Sequence, residues 1–359
     1  MSGGWDISWR RHFQEQDAVL PHGARIHYAV GPDSGPPLLL IHGQTGCWRD
    51  YGPVLSQLSH RWQVFAVDCY GHGRSSHDPS LYSLQANGED LLWLIREVIG
   101  RPAAVSGHSS GGLLAAYVAA RGQLLVLGAL LEDPPVFSTE PDFFPRSFAF
   151  QDTYAPLHRY LLEHPAECWE AYYLRHCLWG RLFLPKGTAE KLARYAQRFR
   201  QRRPLEKPVR FFLPGGINDI FRYLPQYDLA FGEAFYNYSW HSGIPHRQLM
   251  GEIRVPTVFL HCKDAYTEDG ILLAAASDLQ AQQAADLMKN CRLVTISSPH
   301  NIHRAHSKQF LQAMELLYSR SVLTFLGITL RDLIMVDATR QCAMLIMEKR
   351  SLFPFFFLR

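Results

Sequence analysis

Apolar residues fall along this chain in short unbroken runs that alternate with stretches of helical spacing. Leu38 to Ile41, Val64 to Val67, Arg101 to Ser106 and Leu124 to Leu131 read as strands buried on both faces, the pattern of a parallel sheet covered by helices. Between them, Arg49 to His60 places Tyr51, Val54, Leu55 and Leu58 on one helical face, and Gly88 to Ile99 and Leu113 to Ala120 read as two more helices. Two strands, Phe13 to Leu20 and Arg25 to Val30, precede this series and meet at the turn Pro21-His22-Gly23. After a long interruption the alternation resumes. Pro256 to His261 is a strand, Leu272 to Lys289 a helix, Arg292 to Ile296 the last strand, and Phe310 to Tyr318 begins a closing helix. Strands and helices in this order predict right-handed crossovers and an α/β fold, with a mostly parallel central sheet flanked by helices.

The interruption has a different texture. From Val136 to Arg247 aromatic residues such as Phe143, Phe148, Tyr154, Trp169 and Tyr173 crowd amphipathic helical pieces broken by Pro and Gly. This segment, residues 136–247, is expected to be a helical lid inserted over the strand ends, most of its aromatics packing its own small core and some lining a pocket. Residues 13–135 and 248–318 then form the core. Residues 319–359 are an extension of undetermined structure: Leu323 to Leu330 is apolar, and the aromatic end, Phe353 to Phe357, has no periodicity.

Composition narrows the class of protein. The chain has 359 residues, 47% hydrophobic and 19% charged, with a net charge of +3. That is a globular balance with no basic strip for nucleic acid; the basic run Arg198 to Arg203 reads as a solvated helix end. No apolar stretch reaches the ~18 residues of a membrane span. Met1 to Arg11 carries no apolar run, so no secretory signal is expected. The seven cysteines show no Cys-x-x-Cys pair, which fits reduced thiols in a cytoplasmic protein. The oligomeric state is open between monomer and homodimer.

The chemistry centres on Gly107-His108-Ser109-Ser110-Gly111, which joins a strand to a helix. A serine on such a turn is raised clear of the backbone, and glycines on both sides avoid clashes. Ser109 is therefore the candidate nucleophile. Its hydroxyl needs a base, and an imidazole needs a carboxylate to orient it. His300, in the loop after the last strand, is the candidate base and His303 its competitor. A metal site built from His300, His303 and His306 lacks a matching carboxylate spacing. The acid is either Asp133 or Asp264, both at strand ends. Pro134 should hold Asp133 extended, so that Glu132 and Asp133 point to opposite faces. Backbone N–H groups of Ser110 and Gln44 are the candidate oxyanion donors. His42, Asp68, Ser109 and Asp133 all fall at carboxyl ends of strands, where such sheets carry their active groups. The loop Gly71-His72-Gly73-Arg74-Ser75 lacks the Lys-Ser/Thr ending of a phosphate loop.

His42-Gly43-Gln44, the Asp68 to Ser75 loop, Gly107 to Gly112 and Pro299-His300 together resemble the landmarks of the α/β-hydrolase superfamily over Phe13 to Tyr318. The resemblance implies a serine hydrolase of an ester or lactone that needs no cofactor. Gln44-Thr45-Gly46, Phe65 to Asp68, Ser109 to Ala116, Glu132-Asp133 and Ala276 to Gln280 are also similar to the bacterial zearalenone-lactone hydrolases. That similarity implies a carboxylate after the strand preceding the lid, which favours Asp133 over Asp264. The chain departs from them at His42-Gly43, at His108 and in the lid. A serine nucleophile argues against the related epoxide hydrolases and haloalkane dehalogenases, which use an aspartate. The second class of function considered is a ligand receptor or slow hydrolase resembling the strigolactone receptors. The expected partner is a bulky, mostly apolar small molecule.

Overall fold

A computed structural model describes residues 11–203, 207–211, 218 and 221–325. Eight strands form one sheet: β1 (Gln14–Val19), β2 (Arg25–Val30), β3 (Pro37–Ile41), β4 (Gln63–Val67), β5 (Ala103–His108), β6 (Val126–Glu132), β7 (Thr257–Cys262) and β8 (Cys291–Ile296). Their spatial order is β1-β2-β4-β3-β5-β6-β7-β8. β1 and β2 pair antiparallel, β2 meets β4 antiparallel, and every later pairing is parallel. The central strands β3, β5, β6 and β7 are buried along their whole length, as their unbroken apolar runs require.

The crossover helices are α1 (Gly52–Leu58), α2 (Leu84–Trp93) and α3 (Ser110–Arg121). α2 begins four residues before the expected Gly88, because the Ser83 hydroxyl caps it by accepting from the Ala86 N–H. Between β6 and β7 lie α4 (Ala155–Glu163), α5 (Trp169–His176), α6 (Leu178–Phe183), α7 (Thr188–Arg202), α8 (Leu229–Tyr236) and α9 (His246–Glu252). After β7 comes α10 (Asp278–Leu287), and α11 (Ile302–Ala305) and α12 (Ser307–Phe325) close the described chain. α10 starts later than Leu272, since Ser277 and Gln280 form a reciprocal capping box that fixes its first turn. The expected boundary at residues 318 and 319 falls inside α12, which runs unbroken to Phe325. The aromatic end Phe353 to Phe357 lies outside the described residues.

Two apolar layers sandwich the sheet. One packs α2, α3, β5 and the helices between β6 and β7. The other packs α1, α12 and the opposite face of β3, β4 and β7. Each fully buried aliphatic side chain on these strands contributes about 1.5–3 kcal/mol relative to exposure. The rigid sheet therefore fixes where the carboxyl ends of β3 to β8 stand. No helix among the described residues is long and apolar enough to cross a membrane.

Candidate active site

The turn between β5 and α3 is the tightest feature of the sheet edge. Ser109 has φ 57° and ψ −123°, a conformation that costs a non-glycine residue free energy and persists only where its surroundings hold it. Its N–H donates to the Glu132 carbonyl at 2.9 Å, and its carbonyl accepts from Gly112 at 2.8 Å. The flanking glycines are obligatory on steric grounds. A Cβ on Gly107 would sit 1.9 Å from the Gly111 carbonyl oxygen, and one on Gly111 would sit 2.3 Å from the carbonyl oxygens of Ile41 and His42. Helix α3 is thus pressed against the end of β3. Ser110 is its first residue, so its N–H has no acceptor within the helix.

The loop after β8 comes to the same edge. His300 Nδ1 lies 2.7 Å from Asp133 Oδ2. An ionised carboxylate only accepts, so the hydrogen sits on Nδ1 and the opposite ring nitrogen, Nε2, is left to act as a base. The His300 ring stands 4.5 Å, centroid to centroid, from that of His108. His108 Nε2 donates to the His300 carbonyl at 3.2 Å, which holds the His300 loop beside the residue preceding Ser109. The His300 side chain is 41% exposed and that of Asp133 is wholly buried. Burial disfavours the charged imidazole of His300, but the hydrogen bond and charge of Asp133 prevail and shift its titration upward. Burial likewise pushes the Asp133 carboxyl up. Contacts from His261, His300 and the Cys262 N–H outweigh it and bring the group down to about 2.

Asp133 is not extended as Pro134 led us to expect: its φ is +43°. The proline bias is overridden by tertiary bonds. The Asp133 N–H donates to the Leu260 carbonyl at 2.7 Å, and Oδ1 accepts from the Cys262 N–H at 3.0 Å. Glu132 and Asp133 serve two different histidines. Glu132 accepts from the His303 N–H at 2.8 Å and lies 2.9 Å from its Nδ1. His303 is buried, with its ring 4.6 Å from that of Tyr51. Asp264, the alternative acid, turns to the start of α10, where its Oδ2 accepts the Asp278 N–H at 3.0 Å. Among the described residues no group of three or more His, Cys, Asp or Glu is arranged to hold a metal ion.

Gln44 stands at the end of β3, as its position in the chain implied, and its side chain is clasped from the segment between β6 and β7. Its Nε2 donates to the Tyr227 hydroxyl at 2.7 Å, and its Oε1 accepts from the Tyr154 hydroxyl. The next residue, Thr45, has φ 61°, and its N–H donates to His72 Nε2 at 3.1 Å. His72 Nδ1 in turn donates to the Tyr70 carbonyl at 2.9 Å. The glycine-rich loop therefore braces the Gln44 loop. Asp68, at the end of β4, accepts from the Trp48 and Arg74 N–H groups and ties the same loops together.

From sequence, His72, His108, His261, Tyr154 and Tyr227 carried no role at the site. The signal for His261 was present, because it lies near the carboxyl end of β7 as the other candidates lie near theirs. Nothing in the local sequence joins Tyr154 and Tyr227 to Gln44, which are more than a hundred positions away.

The model of the alpha/beta hydrolase family matches residues 38–313. The chain belongs to the α/β hydrolase family. The magnesium-chelatase 30 kDa subunit of Rhodobacter capsulatus is 39% identical over 91 residues, 25% of this chain and 32% of that one. The chain spans about a third of the length of the curated relatives it matches first. Solved structures extend the likeness across the fold. E-2-(acetamidomethylene)succinate hydrolase superposes with a TM-score of 0.57 at 17% identity, covering 85% of this chain and 99% of that one. The enol-lactonase of Burkholderia xenovorans LB400 gives a TM-score of 0.55 at 16% identity, covering 84% and 99%. At such identities the likeness is one of fold.

Proposed function

We propose that this α/β hydrolase cleaves an ester or lactone of a bulky, mostly apolar small molecule through an acyl-enzyme. Ser109 Oγ attacks the carbonyl carbon while His300 Nε2 takes its proton. Asp133 holds the imidazole in the required tautomer and stabilises the imidazolium. The oxyanion is held by the N–H groups of Gln44 and Ser110, each such donor worth about 3–4 kcal/mol in the transition state. His300 then returns the proton to the leaving alkoxide, and water, activated by the same nitrogen, releases the acid and restores Ser109. Residues 136–247 act as a lid over this edge, and their aromatic content supports an apolar substrate. The local likeness to zearalenone-lactone hydrolases supports a lactone among the substrates, and a cytoplasmic location is consistent with the cysteine pattern.

The observation that carries the reading is a serine in strained backbone geometry, next in sequence to a histidine whose ring packs on an imidazole 2.7 Å from a buried carboxylate. The test is turnover of a panel of p-nitrophenyl esters and of small and macrocyclic lactones, with Ser109→Ala beside the wild type. Turnover that vanishes in a folded Ser109→Ala variant supports the reading. Turnover that persists contradicts it. A single turnover followed by retained product would instead favour a receptor.

A further inference from the structure

Asp133 has a second histidine at its back. Its Oδ2 faces His300, while Oδ1, besides accepting the Cys262 N–H, lies 3.3 Å from Nδ1 of His261. The other nitrogen of that ring, Nε2, lies 2.9 Å from Asp278 Oδ1. Asp278 is tied to Asp264 by a reciprocal pair of bonds, each backbone N–H donating to the other's carboxylate at 3.0 Å. Asp278, His261, Asp133 and His300 thus stand in a row in which carboxylate and imidazole alternate, with His261 Nδ1 close to Asp133 Oδ1 but not hydrogen-bonded to it. His261 is fully buried within this row.

The chemistry of that position is restrictive. A neutral imidazole that donates to the 45% exposed Asp278 through Nε2 would turn its Nδ1 lone pair toward the wholly buried Asp133 carboxylate 3.3 Å away, and a buried carboxylate facing a lone pair is strongly disfavoured. An imidazolium donates from Nε2 to Asp278 and sets positive charge, instead of a lone pair, 3.3 Å from Asp133 Oδ1. Burial opposes that charge, but the contacts to Asp133 and Asp278 overcome it and keep the ring protonated to higher pH than a free histidine. The groups facing His261 come from several elements. They are Asp133 from the end of β6, Asp278 from the start of α10, with Asp264 and Lys263 behind it, and the Phe259 ring 6.2 Å away on its own strand.

We propose that His261 is a positioning residue for the catalytic pair: through Asp133 Oδ1 it fixes the carboxylate with Oδ2 toward His300 and weakens the field that the carboxylate exerts on His300. The proposal rests on the reading of Asp133 and His300 as catalytic. His261 touches neither substrate nor nucleophile in this scheme. It sets how readily His300 gives up its proton, and so how far toward acid the enzyme keeps its base.

Two measurements test it. The first is the ring state of His261 in the wild-type protein, read from its side-chain ¹⁵N and ¹³C resonances. Both nitrogens should carry a proton at pH 7, and a neutral tautomer overturns the proposal. The second compares His261→Gln with wild type by NMR titration of His300 and by the pH profile of kcat/KM. Removal of the cation leaves the Asp133 charge uncompensated, so the His300 titration and the acid limb should both move upward by about half a pH unit or more, with kcat falling more than KM changes. An unmoved or downward-shifted His300 titration in the folded variant overturns it. The wild-type ring state stands as a test even where His261→Gln fails to fold. The NMR titration also reads His300 whether or not Ser109 is the nucleophile, so a failure of the serine mechanism and a failure of the His261 coupling give different results.

Discussion

At the scale of single residues, two carboxylates compete to serve His300. Asp133 and Asp264 both stand at strand ends and both satisfy the chain order of nucleophile, acid and base. The distances separate them: His300 Nδ1 is 2.7 Å from Asp133, whereas Asp264 is bonded to the first turn of α10. Asp133→Asn should therefore lower kcat by about 10³–10⁴-fold, because an amide cannot hold the imidazole in the working tautomer. Asp264→Asn should leave kcat within a few-fold of wild type. Steady-state kinetics on the best ester of the panel distinguishes them, and the reverse order would show that the acid is Asp264. Much of this was legible from residue types alone. Ser109, His300 and the two aspartates could be placed at strand ends by reading apolar runs. The left-handed backbone of Asp133 could not, because the local rule for a residue before proline was overridden by bonds to Leu260 and Cys262 on another strand.

At the scale of elements, the β5–turn–α3 unit determines the geometry of the site. Its glycines allow α3 to start against the carbonyls of Ile41 and His42, so the Ser110 N–H and the end of β3 are brought to one edge. Gly111→Ala should push the helix away from β3 and lower stability by about 1–3 kcal/mol, with a loss of activity that exceeds the loss of folded protein. Urea denaturation midpoints beside specific activity would check this, and an unchanged midpoint would contradict the packing argument. Element starts were the least legible feature of the chain. α10 begins at Asp278 and α2 at Leu84 because Ser277 and Ser83 cap them, whereas apolar spacing alone placed these starts at Leu272 and Gly88. The clasp of Gln44 between Tyr154 and Tyr227 depends on how the helices between β6 and β7 fold back over the sheet edge, which no local pattern encodes.

At the scale of the whole molecule, buried histidines govern the response to acid. His42, His72, His108 and His246 are fully enclosed and titrate below the usual range, and burial brings His241 to about 4. A histidine depressed in the folded state contributes stability that is complete above the unfolded value, near 6.5. That contribution is lost as pH falls toward the folded value, at about 1.4 kcal/mol per pH unit for each group. His300 and His261 are shifted upward and act with the opposite sign, contributing most below 6.5 and losing that contribution as pH rises through their folded values. The depressed group is the larger. Stability should therefore fall steeply between pH 6.5 and 4.5, before most carboxylates titrate. Denaturant midpoints at pH 7.5, 6 and 5 would show this decline, and a flat profile over that range would contradict it. Whether Ser109 carries the acyl group is read by covalent trapping. A fluorophosphonate probe followed by peptide mass mapping should give one adduct, on Ser109, absent from Ser109→Ala and formed far more slowly in His300→Ala. Ester turnover by a wild-type protein that leaves Ser109 unlabelled would contradict the account.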